Sequence, residues 1–364
     1  MGESMSVLEQ PDQWKAVDSG SMRTILERFP DQVQEAAHAS RSLCLSPSND
    51  ICSIVVTGLG GSAIGGDLVR SIAGRHIRKP YIVNRDYDLP PFVDASTVVF
   101  ACSYSGNTEE TLSAYDQAKE AGATVVCITS GGELEVRAKA DGYPVLQLPG
   151  GFPPRAALGH SLFMLLGAMQ ALQLIPDITD STEEAIGLLV ELRERYGLKN
   201  PQTENLAKRI ARSLHGKIVA IYGSGAILDA TAFRWRCQIE ENAKNLAFHH
   251  ILPEMNHNEL VGWMYPEKAL RQVGVLLLRD RGDHPQVQRR FELTREIIHG
   301  KAGALHEIWS EGESLLARVM SLIYLGDFVS LYLSFLNNVD PTPVRVIDFI
   351  KSKLGAAQPK SDKG

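Results

Sequence analysis

Two loops rich in glycine, serine and threonine contain the residues of this sequence best suited to chemistry. They are residues 58–62 (GLGGS) and 103–111 (SYSGNTEET). Each loop follows an apolar, strand-like run and precedes a segment with helical character. Backbone N–H groups, short hydroxyls and a helix N-terminus would converge there, and this combination favours an anion such as a phosphate. Either loop alone could be an ordinary tight turn, but two loops at successive strand ends predict a phosphate-ester site.

The segments around these loops alternate between strand and helix. The predicted strands are 54–57, 80–83, 98–102, 124–129 and 145–148. Near-continuous apolar strands separated by helices indicate a parallel sheet covered on both faces, with ligands at the carboxyl ends of the strands. The pattern starts again with a strand at 217–222, a glycine loop at 223–225 and a helix at 226–239. Strands near 273–278 and 304–309 follow. The sequence therefore predicts two related α/β domains.

We divide the chain into five predicted parts. They are a helical extension (1–50), a first domain (51–175), a helical linker (176–215), a second domain (216–336) and a tail helix that contributes to the site (337–364). Within the second domain, 314–335 reads as one long apolar helix. The tail helix is predicted to begin at 340–343 (DPTP), with Asp340 or Thr342 as its cap and a proline in its first turn.

Composition excludes several classes of protein. The chain has 364 residues, of which 44% are hydrophobic and 22% charged, as in an ordinary soluble globular protein. Its formal net charge of −6 argues against a nucleic-acid partner. We take the apolar stretch around 162–174 as the longest and expect no membrane span. Since 1–4 (MGES) resemble no secretion signal and the five cysteines lack CxxC spacing, we expect a reduced, cytoplasmic protein without a structural metal.

Six segments resemble, in order, the motifs of the bifunctional phosphoglucose/phosphomannose isomerase family, a branch of the phosphoglucose isomerase superfamily. They are 58–62 (GLGGS), 103–108 (SYSGNT), 153–155 (PPR), 241–244 (ENAK), 256–259 (NHNE) and 340–343 (DPTP) with Lys351. The resemblance implies two sugar isomerase (SIS) domains, each a doubly wound and mainly parallel sheet, with helical additions at both ends. It also implies an enzyme of glycolysis and gluconeogenesis that needs no metal or other cofactor.

The implied reaction interconverts glucose 6-phosphate or mannose 6-phosphate with fructose 6-phosphate. The sugar ring opens, and a proton then moves between C1 and C2 through a cis-enediolate. This chemistry requires a phosphate anchor, a ring-opening acid and base, a carboxylate near C1 and C2, and positive charge for the enediolate.

The resemblance assigns the phosphate anchor to Ser103, Ser105 and Thr108. Ser62 completes it, and Gly61 is implied to lie beside the substrate. Hydroxyls and N–H groups at the helix start would supply several donors. In the alternative interpretation, Ser105 and Thr108 only cap the helix that follows.

Arg155 and Glu241 are the implied residues of the proton transfer. The Arg155 guanidinium would stabilise the enediolate oxygens, because it keeps its charge at working pH. Glu241 would be the base, since a partly desolvated carboxylate accepts a proton more readily. The adjacent Glu240 stays open as an alternative.

His257 is implied to open the sugar ring, because imidazole titrates near neutrality. In the superfamily this histidine comes across the subunit interface, which implies a homodimer with composite sites. Lys351 is implied to assist at the ring oxygen. Lys353, about 200° further around the helix, stays open as an alternative. Thr342 is implied to leave room for either C2 epimer. It would therefore affect whether the site accepts mannose 6-phosphate as well as glucose 6-phosphate.

Two other interpretations stay open. The chain could be a SIS-type isomerase of another aldose phosphate, or a non-catalytic regulator that binds a sugar phosphate. The regulator predicts a basic helix-turn-helix, yet the first 50 residues carry eight acidic and four basic side chains. A dinucleotide-binding enzyme is disfavoured, because 58–63 matches only the first two glycines of GxGxxG.

Overall fold

Two parallel β-sheets form the framework of the protein. The computed structural model describes residues 7–46 and 50–357, so the ends of the chain, including the segment considered as a secretion signal and the tail at 358–364, lie outside the described residues. The strands of the first sheet are β1 (Ser53–Thr57), β2 (Tyr81–Asn84), β3 (Thr97–Cys102), β4 (Thr124–Thr129) and β5 (Val145–Gln147). Those of the second are β6 (Ile218–Ser224), β7 (Ala247–Leu252), β8 (Val273–Arg279) and β9 (Ala304–Trp309).

Helices cover both sheets and supply the N-terminal and C-terminal additions. They are α1 (Pro11–Val17), α2 (Met22–Glu27), α3 (Phe29–Ser40), α4 (Ile64–Ala73), α5 (Glu109–Glu120), α6 (Gly132–Asp141), α7 (Leu158–Ala171), α8 (Thr179–Tyr196), α9 (Leu206–Leu214), α10 (Asp229–Ala243), α11 (Glu259–Gly262), α12 (Glu267–Leu270), α13 (Pro285–Ile298), α14 (Leu315–Leu336) and α15 (Arg345–Ala357). Short 3₁₀ segments lie at Val7–Glu9, Pro154–Ala156 and Glu254–His257.

The strand orders place the two small-polar loops at one point. The orders are β2-β1-β3-β4-β5 and β7-β6-β8-β9, and every pairing is parallel. Because β1 lies between β2 and β3, the connections leave it in opposite directions and open a crevice beyond the carboxyl ends of β1 and β3. Both predicted phosphate loops follow these two strands. The predicted doubly wound α/β fold is confirmed, although β7 and the helices α11, α12 and α13 were not predicted.

Helix α14 lies at the centre of the core and corrects one expectation. This largely apolar helix of 22 residues exceeds the stretch around 162–174 that we took as the longest, and it is long enough to span a membrane. However, 94% of its apolar window is buried within the protein, where α8, α9 and α10 pack around it. A helix that is apolar on all sides belongs in a core. Helix α14 is therefore a core helix.

A buried lysine fastens the N-terminal segment to this core. Lys208 donates to the carbonyl of Leu198 at 3.0 Å and pairs with Glu9 at 3.2 Å. Its ammonium also lies 5.5 and 5.7 Å from the ring centres of Trp14 and Tyr332. An ammonium group that is buried away from water needs hydrogen-bond acceptors, a countercharge or aromatic rings of this kind around it. The first helices are thus part of the core around α14.

A buried ion pair joins α10 to α14. The Arg234 guanidinium donates to both carboxylate oxygens of Asp327, at 2.8 and 3.0 Å, and Gln238 donates to the same carboxylate at 2.7 Å. Burial raises the pKa of Asp327, and the Arg234 charge opposes this effect. Arg234 also donates to the carbonyl of Arg155 at 3.2 Å. The pair therefore fixes both the helix packing and the turn at 154–156.

Replacing Asp327→Ala should lower the free energy of unfolding by about 3–5 kcal/mol, because it leaves the Arg234 charge buried without a countercharge. Denaturant unfolding measures this change. The control, Glu313→Gln, removes an exposed partner of Arg281 and should cost less than about 1 kcal/mol. Equal losses in the two variants would contradict the role assigned to the buried pair.

Candidate active site

The loop after β3 holds its hydroxyl groups close together at the start of α5. The hydroxyls of Ser103 and Thr108 lie 2.9 Å apart, and the backbone N–H of Asn107 donates to the Ser105 hydroxyl at 3.3 Å. Although Thr108 occupies the N-cap position of α5, its side chain makes no capping hydrogen bond to the described helix. The capping alternative is thus wrong for Thr108. The N-terminus of α5 lies at this loop, where the helix dipole favours an anion.

Ser62 connects the loop after β1 to the loop after β3. Its hydroxyl accepts a hydrogen bond from the backbone N–H of Tyr104 at 3.0 Å. At the base of the same loop, a Cβ on Gly58 would lie 2.6 Å from the carbonyl oxygen of Cys102. Gly106 has a φ of +68°, and a Cβ there would overlap the carbonyl of Gly131 after β4. The close approach of the backbones therefore requires glycine at these turns. The same approach brings three loops together at the crevice.

Gly61 brings the first loop against the turn that carries Arg155. A Cβ on Gly61 would lie 2.8 Å from the carbonyl carbon of Pro154 and 2.9 Å from the backbone nitrogen of Arg155. Only glycine allows this approach without a shift of the turn. The predicted phosphate anchor and Arg155 are consequently neighbours along one surface.

Arg155 is a buried cation whose position is fixed by acceptors from two other segments. Only 5% of the residue is exposed. From α10, Asn242 accepts from Nε at 2.7 Å and the Glu241 carboxylate lies 3.4 Å from Nη1. From the tail, the carbonyls of Pro341 and Thr342 accept from Nη2 at 2.6 and 2.9 Å. Burial lowers the pKa of Arg155, and the Glu241 charge opposes this. The result is an oriented positive charge beside a carboxylate.

Glu241 contacts Arg155, whereas the neighbouring Glu240 contacts Arg236. Both carboxylates line a cleft of ≈ 860 Å³ between the end of α10 and the tail. Glu240 lies 3.6 Å from Arg236, one helical turn earlier, and burial raises the pKa of Glu240. Glu241 is the carboxylate whose partner is Arg155. This geometry favours Glu241 as the base of the pair.

The tail differs from its predicted form. Helix α15 begins at Arg345, so neither Asp340 nor Thr342 caps it, and that prediction is wrong. Asp340 instead accepts from the backbone N–H of Thr342 at 2.9 Å, in a turn outside the helix. Two features account for the difference. A proline disfavours helical geometry in the residue before it, and the Pro341 and Thr342 carbonyls are bound to Arg155.

The N-terminal segment contacts this tail turn, and no motif in the sequence indicated it. The Ser19 hydroxyl donates to the Asp340 carboxylate. A Cβ on Gly20 would overlap the side chain of Thr342, whose hydroxyl is buried without a hydrogen-bond partner among the described residues. These contacts join residues more than 300 positions apart. Local sequence patterns could not have revealed them.

His257 and Lys351 are not brought to this cleft within the chain. Both side chains are exposed, and the described residues provide no hydrogen bond or ion pair from either to Arg155 or Glu241. His257 ends a 3₁₀ segment after β7, and Lys351 lies on α15. Lys353 is also exposed, with its ammonium 5.7 Å from the Phe349 ring centre. The choice between the two lysines thus stays open.

Comparison with known domains places this geometry in a class. Residues 49–141 match the SIS domain, and residues 203–354 match the bacterial phospho-glucose isomerase C-terminal SIS domain. A solved glucose-6-phosphate isomerase like protein from Thermus thermophilus superimposes with a TM-score of 0.62 at 19% identity, covering 93% of this chain and 98% of that one. This likeness concerns the fold. With its two doubly wound sheets, the protein is a two-domain SIS protein.

Full-length relatives identify the family. The bifunctional phosphoglucose/phosphomannose isomerase of Caldicellulosiruptor bescii is 46% identical over 327 residues, which cover 90% of this chain and 96% of the relative. The protein of the same name from Aquifex aeolicus is 39% identical over 302 residues, covering 83% and 90%. The chain belongs to the bifunctional phosphoglucose/phosphomannose isomerase family, which confirms the resemblance found in its motifs.

Gly61→Ala should lower kcat/KM for the isomerase activity expected of this family by about 100-fold, because the new methyl group pushes the Arg155 turn out of place. Steady-state kinetics measure this, with circular dichroism as a check on folding. Gly187→Ala is the matched control, since a Cβ there meets nothing within 4 Å. Unaltered activity in Gly61→Ala would show that the close approach is unimportant.

Proposed function

We propose that this protein is an aldose–ketose isomerase that interconverts glucose 6-phosphate and mannose 6-phosphate with fructose 6-phosphate. The observation that carries the proposal is the pairing of the buried Arg155 guanidinium with the Glu241 carboxylate, next to a loop suited to phosphate. Family membership and the names of the relatives support it. A sugar-phosphate regulator would need the phosphate loop but not this pair, and the pair therefore favours an enzyme.

The phosphate anchor holds the end of the sugar that does not react. The hydroxyls of Ser62, Ser103, Ser105 and Thr108 supply donors to the phosphate oxygens, and the N-terminus of α5 favours the negative charge. Gly61 lets this loop approach the Arg155 turn closely. Binding energy from the phosphate can then orient C1 and C2 beside the pair formed by Glu241 and Arg155.

The proton transfer uses Glu241 as a base and Arg155 as a fixed charge. In the open-chain aldose, the Glu241 carboxylate takes the proton from C2, and the electron pair moves onto the C1 carbonyl oxygen. Arg155 stabilises the negative charge of this enediolate. Glu241 returns the proton to C1 while a proton passes from O2 to O1, which gives the ketose. Because C2 is planar in the intermediate, either C2 epimer leads to fructose 6-phosphate. We propose that Thr342 leaves room in the site for either C2 epimer.

We further propose a cytoplasmic homodimer in which His257 of one chain completes the site of the other. His257 and Lys351, proposed for ring opening, are exposed and lie away from the Arg155 contacts of their own chain. Large apolar side chains are exposed within eight residues of each in sequence, including Tyr265 at 73% and Val346 at 74%. Exposed apolar surface of this kind is typical of subunit contacts. The five free cysteines agree with a reducing compartment.

The proposed function is tested by following fructose 6-phosphate formation by the purified protein from glucose 6-phosphate and mannose 6-phosphate, in parallel and with EDTA. We expect turnover of both substrates, and Glu241→Gln should abolish it while leaving sugar-phosphate binding intact. Glu240→Gln, one residue away, is the control and should stay active. If neither substrate reacts but both bind, the regulator or another aldose phosphate would be favoured.

Composite sites are tested by co-expressing Glu241→Gln with His257→Asn, each of which should be inactive alone. Random pairing gives half heterodimers, each with one intact site, so roughly a quarter of the unaltered activity should return. Sedimentation would confirm the dimer. Activity no higher than in either variant alone would place His257 and Glu241 of the same chain in one site.

A further inference from the structure

Lys244 terminates α10 in an unusual backbone conformation. Its φ of 53° and ψ of 32° lie in the left-handed region, which non-glycine residues seldom adopt and which glycine usually occupies at helix ends. The Lys244 side chain turns back onto the helix, and its ammonium donates to the carbonyl of Glu241. A cation at a helix C-terminus is favoured by the helix dipole. The Lys244 charge is thus held beside the proposed base.

The same ammonium reaches the tail. It donates to the Pro341 carbonyl at 3.3 Å, and Arg155 Nη2 donates to this oxygen at 2.6 Å. Two cations from different segments therefore share one acceptor. The Thr342 carbonyl, one residue on, accepts only from Arg155 among the hydrogen bonds of the described chain. The tail turn that orients Arg155 is consequently held by Lys244 as well.

Lys244 differs from Arg155 in that it can lose its proton. Burial and the neighbouring Arg155 charge lower the pKa of Lys244 to about 8, against the opposing effect of the Asp340 and Glu241 charges. Glu240 and Arg345 are the other charged residues that line the cleft with it. The ammonium is charged below pH 8 and becomes neutral as the pH rises through this value. Arg155 keeps its charge throughout.

We propose that Lys244 is a positioning residue for isomerisation: its ammonium and the Arg155 guanidinium together hold the Pro341 carbonyl, and this keeps Arg155 aligned with Glu241. The inference rests on the proposed function. It assigns Lys244 no contact with the substrate. Loss of the ammonium should therefore reduce kcat more than it changes KM, since the phosphate anchor lies on a different loop.

The test compares Lys244→Gln and Lys244→Arg with the unaltered protein, using kcat and KM from pH 6.5 to about 9.5. In the unaltered protein kcat should fall above about pH 8. Lys244→Gln should lose about tenfold in kcat at pH 7, with KM nearly constant. Lys244→Arg should keep most of the activity and shift the alkaline fall upward, because guanidinium stays charged. Lys139→Gln, an exposed lysine of α6, is the control and should behave like the unaltered protein.

Several results would overturn the inference. Full kcat in Lys244→Gln would show that the ammonium is unnecessary, and an alkaline fall at the same pH in Lys244→Arg would assign it to another group. Denaturant unfolding of Lys244→Gln separates misfolding from misalignment, because a folded, inactive variant rescued by arginine supports positioning. If the unaltered protein turned over neither sugar phosphate, the proposed function would fail, and this inference with it.

Discussion

The burial of the Arg155 guanidinium is the constraint on which the site depends. An uncompensated charge in the protein interior is energetically costly, so a buried cation needs hydrogen-bond acceptors around it. These acceptors are Asn242 and Glu241 at the end of α10, and the Pro341 and Thr342 carbonyls of the tail turn. One charge thereby draws a loop of the first sheet, a helix of the second and the end of the chain to the same place.

Asn242 and the backbone of Arg155 are held by further contacts. The Asn242 amide donates to Ser330 on α14 at 2.9 Å, and the carbonyl of Arg155 itself accepts from Arg234, whose charge is balanced by Asp327. Helix α14 thus supports the site without lining the cleft. Its apolar side chains fill the core, and its polar residues Asp327 and Ser330 contact α10. Packing and site geometry are in this way set by the same helix pair.

The sequence was informative where structure is locally encoded. Strand–loop–helix repeats predicted both sheets, and the glycine-rich turns marked the crevice, because apolar period and turn chemistry act over a few residues. Edge strand β7 escaped prediction because its residues 248–251 are largely solvent-accessible and it includes two histidines. The tail turn was predicted to be the start of a helix, because local propensity does not report the hydrogen bonds from Arg155 to its carbonyls. Contacts from Ser19 and Gly20, and any contribution from a second chain, likewise depend on tertiary arrangement.

The contact between the N-terminal segment and the tail turn has a consequence for biosynthesis. Ser19 and Gly20 are synthesised more than 300 residues before residues 340–342, which they contact in the folded protein. Both SIS sheets are complete in the nascent chain before Arg155 can acquire its carbonyl partners from the tail. A nascent chain that lacks residues 340–342 therefore cannot form the hydrogen bonds that orient Arg155 in the folded protein.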